Sequence, residues 1–214
     1  MDYSSWLRDK YIFHKKKALE GKICQDIIEV LERSDLTENN RGYDYIWVNL
    51  TMTEYESISK VLLSHLDEYI ERHPFLKKGV SGCSLTLEHG FMIKKFSPGK
   101  FYDCKRFVNP KEAEHMEHGP NDYDSSRMLA WMFYLNDIKY KGGTCWPQQN
   151  FTSKPRAGDL YIWPAGWTHS HYGVPAPEEE KYILTGWYNL NKEEQLRLDH
   201  FQMVKNFHGR HFIN

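Results

Sequence analysis

The second half of the chain consists of short runs of β-branched and aromatic residues, which are separated by turns that contain glycine and proline. Such runs favour extended strands, because these side chains fit a pleated, half-buried surface. The pattern predicts strands at residues 84–88, 91–96, 127–135, 160–163, 170–174 and 182–188. Many short strands joined by tight turns are typical of a sandwich or a barrel.

The first half of the chain has a different periodicity. Residues 23–33 and 53–72 place apolar side chains three and four positions apart, which predicts two amphipathic helices ahead of the strands. A third, closing helix is predicted over residues 192–207. Helices that flank a set of short strands indicate an α+β chain that is mainly β.

The length and apolar content suit one domain. The chain has 214 residues, of which 40% are hydrophobic, so it can bury one sizeable core. We expect a helical N-terminal support over about residues 1–80, a β core over about 83–190, and a C-terminal helix and tail over about 191–214.

Charge and cysteine usage limit the partners and the compartment. The formal net charge is -1, from 28 basic and 29 acidic side chains, which predicts no affinity for nucleic acid. No apolar run is long enough for a signal peptide or a membrane span, so no membrane partner is expected. The four cysteines form no C-x-x-C pair, which favours a reducing cytoplasm. The oligomeric state cannot be inferred from these features.

Histidines are the candidate metal ligands. His169 follows a Pro-Ala-Gly turn in W-P-A-G-W-T-H-S-H, where the mouth of a sandwich would lie. His171 is the alternative, since residues two apart face the same side of a strand. It ranks second because Thr168 to Ser170 lies closest to the turn. Of the two H-x-[DE] triplets, His65 with Asp67 lies on a helix, where the two side chains diverge. His115 with Glu117 remains, if that segment is extended.

Lys181 is a candidate anion-binding residue. It stands between an acidic run, Glu178 to Glu180, and the apolar strand that begins at Tyr182. A lysine that enters a buried strand needs an anionic partner to offset its desolvation. The carboxylate of a cosubstrate would serve, and so would a neighbouring glutamate.

Several motifs occur together and in a recognisable order. They are Phe96-x-x-Gly99-x-x-Tyr102, Arg127 before W-M-F-Y-L-N-D, Gly142-Gly143-Thr144, K-P-x-x-G-D-L, W-P-A-G-W-T-H-S-H and K-Y-I-L-T-G-W. This set, over about residues 84–190, resembles the 2-oxoglutarate- and Fe(II)-dependent dioxygenases of the prolyl 4-hydroxylase-like branch. The resemblance implies a double-stranded β-helix core, also called a jelly roll or cupin-like fold.

The resemblance also implies cofactors and residue roles. Fe(II), 2-oxoglutarate and O2 would be used, with two histidines and one carboxylate as a facial set of metal ligands. His169 would be the distal ligand, and His115 and Glu117 the proximal pair. Lys181 would bind the C5 carboxylate of 2-oxoglutarate together with Tyr134, and Tyr102 would lie at the same pocket.

The proximal pair departs from the pattern of the family. H-x-D usually follows the Tyr102 position closely, whereas here D-C-K-R-F stands there and His115 comes later. An insertion over about residues 104–114 accounts for the difference. The carboxylate is Glu117 in place of the more usual aspartate. His118 is an alternative to His115, and Asp103 and Asp122 are alternatives to Glu117.

The activity that the resemblance implies is hydroxylation of an unactivated C-H bond, with peptidyl proline as the expected substrate. Three alternatives stay open. One is an oxygenase that acts on a free amino acid or another small molecule. A second is a non-catalytic jelly-roll binding module whose proximal ligands are degenerate. The third, a cupin-like dioxygenase without 2-oxoglutarate, is disfavoured by Lys181.

Overall fold

A computed structural model describes residues 10–35, 37–39, 43–49, 55–74, 76, 85–88, 90–99 and 127–190. Two helices and eleven strands lie within these ranges. Helix α1 is Gly21–Glu32 and helix α2 is Glu56–Arg72. Both buried faces follow the three- and four-residue spacing of the sequence, with Ile27 and Leu31 buried in α1. The two helices expected before the strands are confirmed.

The strands are short except at the centre of the sheet. They are β1 Phe13–Lys15, β2 Thr37–Asn39, β3 Tyr43–Asn49, β4 Leu85–Leu87, β5 Gly90–Phe96, β6 Arg127–Tyr134, β7 Thr144–Trp146, β8 Phe151–Thr152, β9 Leu160–Pro164, β10 Tyr172–Gly173 and β11 Lys181–Leu190. Two short 3-10 helices, Pro147–Gln149 and Trp167–His169, complete the regular structure of the described residues.

Two antiparallel sheets form the core. The larger sheet has eight strands in the order β1-β9-β6-β11-β5-β3-β2, with β4 also paired to β11, and the smaller has the order β10-β7-β8. Strand β11 is central and pairs with β6 on one edge and with β5 on the other. Gly186 in β11 is required there, because a Cβ atom would lie 2.5 Å from the ring of Trp131.

The larger sheet separates two apolar layers. One layer packs against the helices and includes Leu31, Leu62, Phe133 and Leu184. The other lies on the opposite face, and its members are Tyr43, Phe96, Ala130, Met132, Tyr134, Trp146, Tyr161, Trp163, Ala165, Ile183 and Trp187. Because Trp146 belongs to the smaller sheet, this second layer fills the space between the two sheets. The arrangement is a jelly-roll core, as expected.

The sequence patterns missed part of the sheet. Residues 1–80 were expected to be helical, yet β1, β2 and β3 lie there and all three join the larger sheet. The strand expected at residues 170–174 is reduced to Tyr172–Gly173, since His169 and its two predecessors form a helical turn. The closing helix expected at residues 192–207 lies outside the described residues. Within the described part of the chain, no helix has the length and apolar character needed to cross a bilayer.

Candidate active site

Lys181 places a cation in the interior between the two sheets. It opens strand β11 and is paired with Phe96 of β5, and its ammonium lies 4.4 Å from the centre of the Phe96 ring. The smaller sheet is close on the other side, because a Cβ atom on Gly173 would lie 3.3 Å from Nζ. The residue is 3% exposed. Lys181 therefore lies within the jelly roll and not on its surface.

The charge of Lys181 is not neutralised by the residues that the structure describes. No carboxylate among them forms an ion pair or hydrogen bond with its ammonium, and the nearby charge of Lys94 repels it. The pKa of Lys181 is lowered from 10.5 to about 8, mainly by burial and to a smaller extent by the positive charge of Lys94. The ammonium is still the major form at neutral pH. A buried cation of this kind is costly until an anion pairs with it.

Tyr134 lies on the same face of the sheet. Its cross-strand partner is Ile183, two residues after Lys181, and side chains two apart on a strand share a face. Its hydroxyl is 2.9 Å from Oγ1 of Thr144 and 2.6 Å from Oγ of Ser153. Burial raises the pKa of Tyr134 to about 12, so the phenol keeps its proton. Lys181 and Tyr134 together give the interior one cation and one cluster of hydroxyl groups.

His169 is held by two hydrogen bonds. Its Nε2 donates to the backbone carbonyl of Lys10 at 3.0 Å, and its Nδ1 lies 3.0 Å from Oγ1 of Thr168. Burial lowers the pKa of His169, which favours the neutral ring. In the neutral tautomer that donates from Nε2, the Nδ1 lone pair faces the Thr168 hydroxyl. In this geometry His169 anchors residue 10 of the N-terminal segment.

His171 lies against the interior aromatic layer. Its ring centre is 5.0 Å from that of Trp163 and 5.9 Å from that of Trp146. Its Nδ1 hydrogen-bonds with the backbone carbonyl of His169 at 3.0 Å. A carbonyl only accepts, so Nδ1 carries a proton in this bond. Metal-binding histidines in proteins are usually held in place by such a hydrogen bond, donated by the ring nitrogen that does not bind the metal.

An aromatic rim lies toward the other end of β11. The guanidinium of Arg127 stacks on the ring of Trp187 at 3.6 Å. Arg127 also donates twice to the carboxylate of Glu88, at 2.9 and 3.0 Å. Trp47 of β3 lies 6.4 Å from Trp187 and is 52% exposed. The aromatic surface therefore extends from the interior layer, at Trp187, to solvent, at Trp47.

Other predicted site residues lie outside the described residues. They are Tyr102, His115 and Glu117, together with the alternatives His118, Asp103 and Asp122. Among the residues that the structure does describe, no three His, Cys, Asp or Glu side chains are grouped closely enough to hold a metal ion. The proximal ligands therefore stay a prediction.

Thr144 and Ser153 were not predicted as site residues. Both are buried, and Ser153 accepts a hydrogen bond from the backbone N-H of Thr144 at 2.9 Å. For Thr144, the motif Gly142-Gly143-Thr144 was the sequence signal. The chain around Ser153 can approach closely at Gly143, which has no side chain. A Cβ atom there would lie 2.1 Å from the carbonyl oxygen of Ser153. Nothing in the sequence near Ser153 singles it out.

Comparisons with known proteins agree with this site. Residues 103–189 match the family model of the 2OG-Fe(II) oxygenase superfamily. A probable prolyl 4-hydroxylase 9 of Arabidopsis thaliana is 26% identical over 208 residues, a match that covers 80% of this chain and 66% of the relative. This chain thus matches slightly less than two thirds of that relative's length.

Solved structures share the fold. The viral collagen prolyl hydroxylase of Paramecium bursaria Chlorella virus-1, as its 2OG complex, aligns with a TM-score of 0.63 at 18% identity, covering 84% of this chain and 96% of that one. A prolyl hydroxylase from Trichoplax adhaerens, bound to a peptide fragment of a hypoxia inducible factor, aligns at 0.61 and 18% identity, covering 90% and 89%. At 18% sequence identity, the structural similarity to these two proteins establishes the fold alone.

The described residues form a jelly roll with a buried cation between its sheets, and residues 103–189 match the superfamily model. The chain is therefore similar to 2OG-Fe(II) oxygenases, and among them to prolyl 4-hydroxylases.

Proposed function

We propose that this protein is an Fe(II)- and 2-oxoglutarate-dependent dioxygenase that hydroxylates peptidyl proline. The observation that carries the proposal is the buried ammonium of Lys181, which has no anionic partner within the described residues. Such a group destabilises the free protein and is stabilised when a carboxylate arrives. The site is therefore suited to a cosubstrate with a carboxylate at its far end.

The residues around Lys181 fit the C5 carboxylate of 2-oxoglutarate. The ammonium supplies one charge-assisted hydrogen bond, and Phe96 and the smaller sheet exclude water around it. If Thr144 and Ser153 both donate to Tyr134, with Ser153 giving up its bond to the carbonyl of Thr144, the phenolic proton is left for the carboxylate. The ammonium of Lys181 and the neutral phenol of Tyr134 would then each bind one oxygen of the C5 carboxylate.

We assign the distal metal ligand to His171 in preference to His169, which the sequence ranked first. In His169 both nitrogens are hydrogen-bonded to Lys10 and Thr168, and metal binding would break at least one of these bonds. His171 has its Nδ1 hydrogen-bonded to the backbone carbonyl of His169, and its ring lies against Trp146 and Trp163 of the interior layer. His115 and Glu117 would supply the remaining ligands.

The bound Fe(II) would supply the oxidative chemistry by coordinating 2-oxoglutarate and O2 at the positions that three protein ligands leave open. The residues of the chain have simpler tasks. Lys181 and Tyr134 fix the orientation of the cosubstrate from its far end. The interior tryptophans Trp146 and Trp163 are buried and exclude water beside His171. The rim at Trp187 would receive the substrate.

Peptidyl proline is proposed on two grounds. The relatives named above are prolyl hydroxylases, one of them with a bound peptide. The rim formed by Trp187 and the half-exposed Trp47 is aromatic, and aromatic grooves bind the preformed helix of proline-rich segments. A free amino acid would not need a rim that extends to solvent.

A cytoplasmic location is proposed as well. The described cysteines, Cys24 and Cys145, are both free thiols. Free thiols are typical of proteins in a reducing compartment.

The test is an anaerobic titration of the protein with Fe(II) and then 2-oxoglutarate. The expected result is the weak visible charge-transfer absorbance of the chelate. Exposure to O2 with a proline-rich peptide should then form succinate and add one oxygen atom to the peptide, as measured by mass spectrometry. Succinate with no change in any peptide, but with oxidation of free proline, would favour a small-molecule hydroxylase. Absence of both the absorbance and succinate would contradict the proposed activity and favour the alternative, a non-catalytic jelly-roll binding module.

A further inference from the structure

A cavity lies beside the proposed cosubstrate site, with Ser153 in its lining. Its volume is about 550 Å³, within the range of cavities that hold small ligands. The turn that precedes β9 forms much of its wall, through Ser153, Lys154, Arg156 and Asp159. His171 follows the opposite end of β9. The lining residues Phe151 and Tyr161 contact Trp146, so the ring of Trp146 lies between the cavity and His171.

The cavity is lined by more basic than acidic side chains. Lys16, Lys17, Lys154 and Arg156 line it, and the only carboxylates among its lining residues in the described part of the chain are Asp137 and Asp159. The lining also contains His14, Phe151 and Tyr161.

Both carboxylates are bound by other parts of the protein. Asp159 accepts a hydrogen bond from the backbone N-H of Lys17 at 3.0 Å and contacts Nε2 of His14 at 2.7 Å. Asp137 accepts from the backbone N-H of Ala157 at 2.8 Å, and Arg156 is 3.7 Å away. Neither carboxylate neutralises a lysine of the cavity.

The lysines are left with uncompensated charge. Within the ranges that the structure describes, the ammonium groups of Lys16, Lys17 and Lys154 form no hydrogen bond and no ion pair. Like charges that line one concave surface repel each other and focus a positive potential inside it. An anion that enters the cavity would relieve this repulsion.

The backbone holds the cavity in shape. Lys17 adopts a left-handed φ of 51°, which is costly for a residue with a side chain and persists only where neighbours enforce it. The bond from its N-H to Asp159 enforces it here. On the facing turn, Gly158 has a φ of 82°, and its carbonyl accepts a hydrogen bond from the N-H of Leu19 at 3.1 Å. The two walls are therefore joined before any ligand arrives.

We propose that this cavity binds a small organic anion that carries at least two negative charges. Phosphate esters and dicarboxylates share this chemistry. The site is distinct from that of Lys181, because neither Lys181 nor Tyr134 lines the cavity, although the hydroxyl of Ser153 lies 2.6 Å from that of Tyr134. Binding does not require iron or 2-oxoglutarate, so the inference is independent of the proposed function.

The test is isothermal titration calorimetry on the metal-free protein, with inorganic pyrophosphate as the phosphate probe and tartrate as the dicarboxylate probe. One equivalent of at least one probe should bind. The double variant Lys17→Gln/Arg156→Gln should weaken that binding by about tenfold or more, since two charges next to the anion are lost. The matched control Lys22→Gln/Lys60→Gln removes the same charge from the exposed faces of the two helices and should bind as the parent does.

Tighter binding of pyrophosphate would identify a phosphate ligand, and tighter binding of tartrate a dicarboxylate. Equal weakening in the cavity variant and the control would mean unspecific attraction to surface charge, and the proposal would be wrong. It would also be wrong if neither probe binds. Loss of probe binding in Lys181→Met, with binding kept in the cavity variant, would place the anion at Lys181 and overturn the assignment to this cavity.

Discussion

Nδ1 of His171 donates a hydrogen bond to the backbone carbonyl of His169, over 3.0 Å. The bond joins the two histidines that the sequence offered as alternatives, and it gives them different tasks. The backbone of His169 fixes the ring of His171, while the ring of His169 anchors Lys10.

The first prediction separates these tasks. His171→Ala should abolish the charge-transfer absorbance of the Fe(II) and 2-oxoglutarate complex, because it removes a proposed ligand. His169→Ala should keep the absorbance but lower the free energy of unfolding by about 1–3 kcal/mol, since the bonds to Lys10 and Thr168 are lost. Anaerobic absorbance titrations and urea unfolding measure the two effects. Loss of the absorbance in His169→Ala alone would restore His169 as the ligand.

The second prediction concerns the pH dependence caused by Lys181. Its pKa is about 8 in the folded protein, against the ordinary lysine value of 10.5 that applies to the unfolded chain. The unfolded chain therefore holds more protons between these values, and stability rises with pH. Below pH 8 the full cost, about 3 kcal/mol, is present. Lys181→Met has no such cost.

Urea unfolding of the parent and of Lys181→Met, without ligand, at pH 7 and at about pH 9.5 tests this. The stability difference in favour of Lys181→Met should roughly halve at the higher pH. A difference that does not change with pH would mean that Lys181 is not a buried, unpaired cation. Lys181→Met should also lose affinity for 2-oxoglutarate, by about a hundredfold.

The third prediction concerns the hydroxyl of Tyr134. Tyr134→Phe should weaken 2-oxoglutarate binding by about tenfold, since one hydrogen bond to the carboxylate is lost. Tyr188→Phe is the matched control: its hydroxyl is also buried, but it donates to the carbonyl of Leu62 on the helical face of the sheet, at 2.8 Å. Each variant should lose about 1 kcal/mol of stability. Equal affinities for 2-oxoglutarate in the two variants would exclude Tyr134 from the site.

The fourth prediction concerns Asp159. It is 4% exposed and joins β1 to the turn before β9 through His14 and the backbone of Lys17. Asp159→Ala should lower the free energy of unfolding by about 1–3 kcal/mol, because two donors in partly buried hydrogen bonds lose their acceptor. Asp159→Asn keeps one carbonyl oxygen and should lose less. Denaturant unfolding measures both, and a neutral Asp159→Ala would show that β1 is held by other contacts.

The sequence predicted the parts of the fold that depend on local periodicity. The helix at residues 56–72 and the long strands β6 and β11 were found because their buried positions repeat over many residues. Strand β1 has three residues, and its pairing with Ile162 of β9 is a long-range contact that no local pattern encodes. Strand β3 was missed although Tyr43, Tyr45 and Trp47 alternate along it.

The candidate site, like the fold, was predicted only where local sequence patterns determine it. The apolar strand that follows Lys181 indicated its entry into the interior, and Lys181 is buried. Both His169 and His171 are buried, and the helical turn at Trp167–His169 places His171 against Trp146 and Trp163. Strand periodicity assumed an extended backbone there. Thr144 and Ser153 meet only because β7 and β8 pair, which again is tertiary information.

Strand β11 carries Lys181 and is paired on both edges, by five residues of β5 and by β6. Backbone amides in such a strand exchange with solvent only when the whole core opens, whereas β1 and β2 at the margins can open separately. Hydrogen exchange should therefore be slowest along β11. The anion-binding end of the proposed active site would keep its geometry through local fluctuations that rearrange the margins of the sheet.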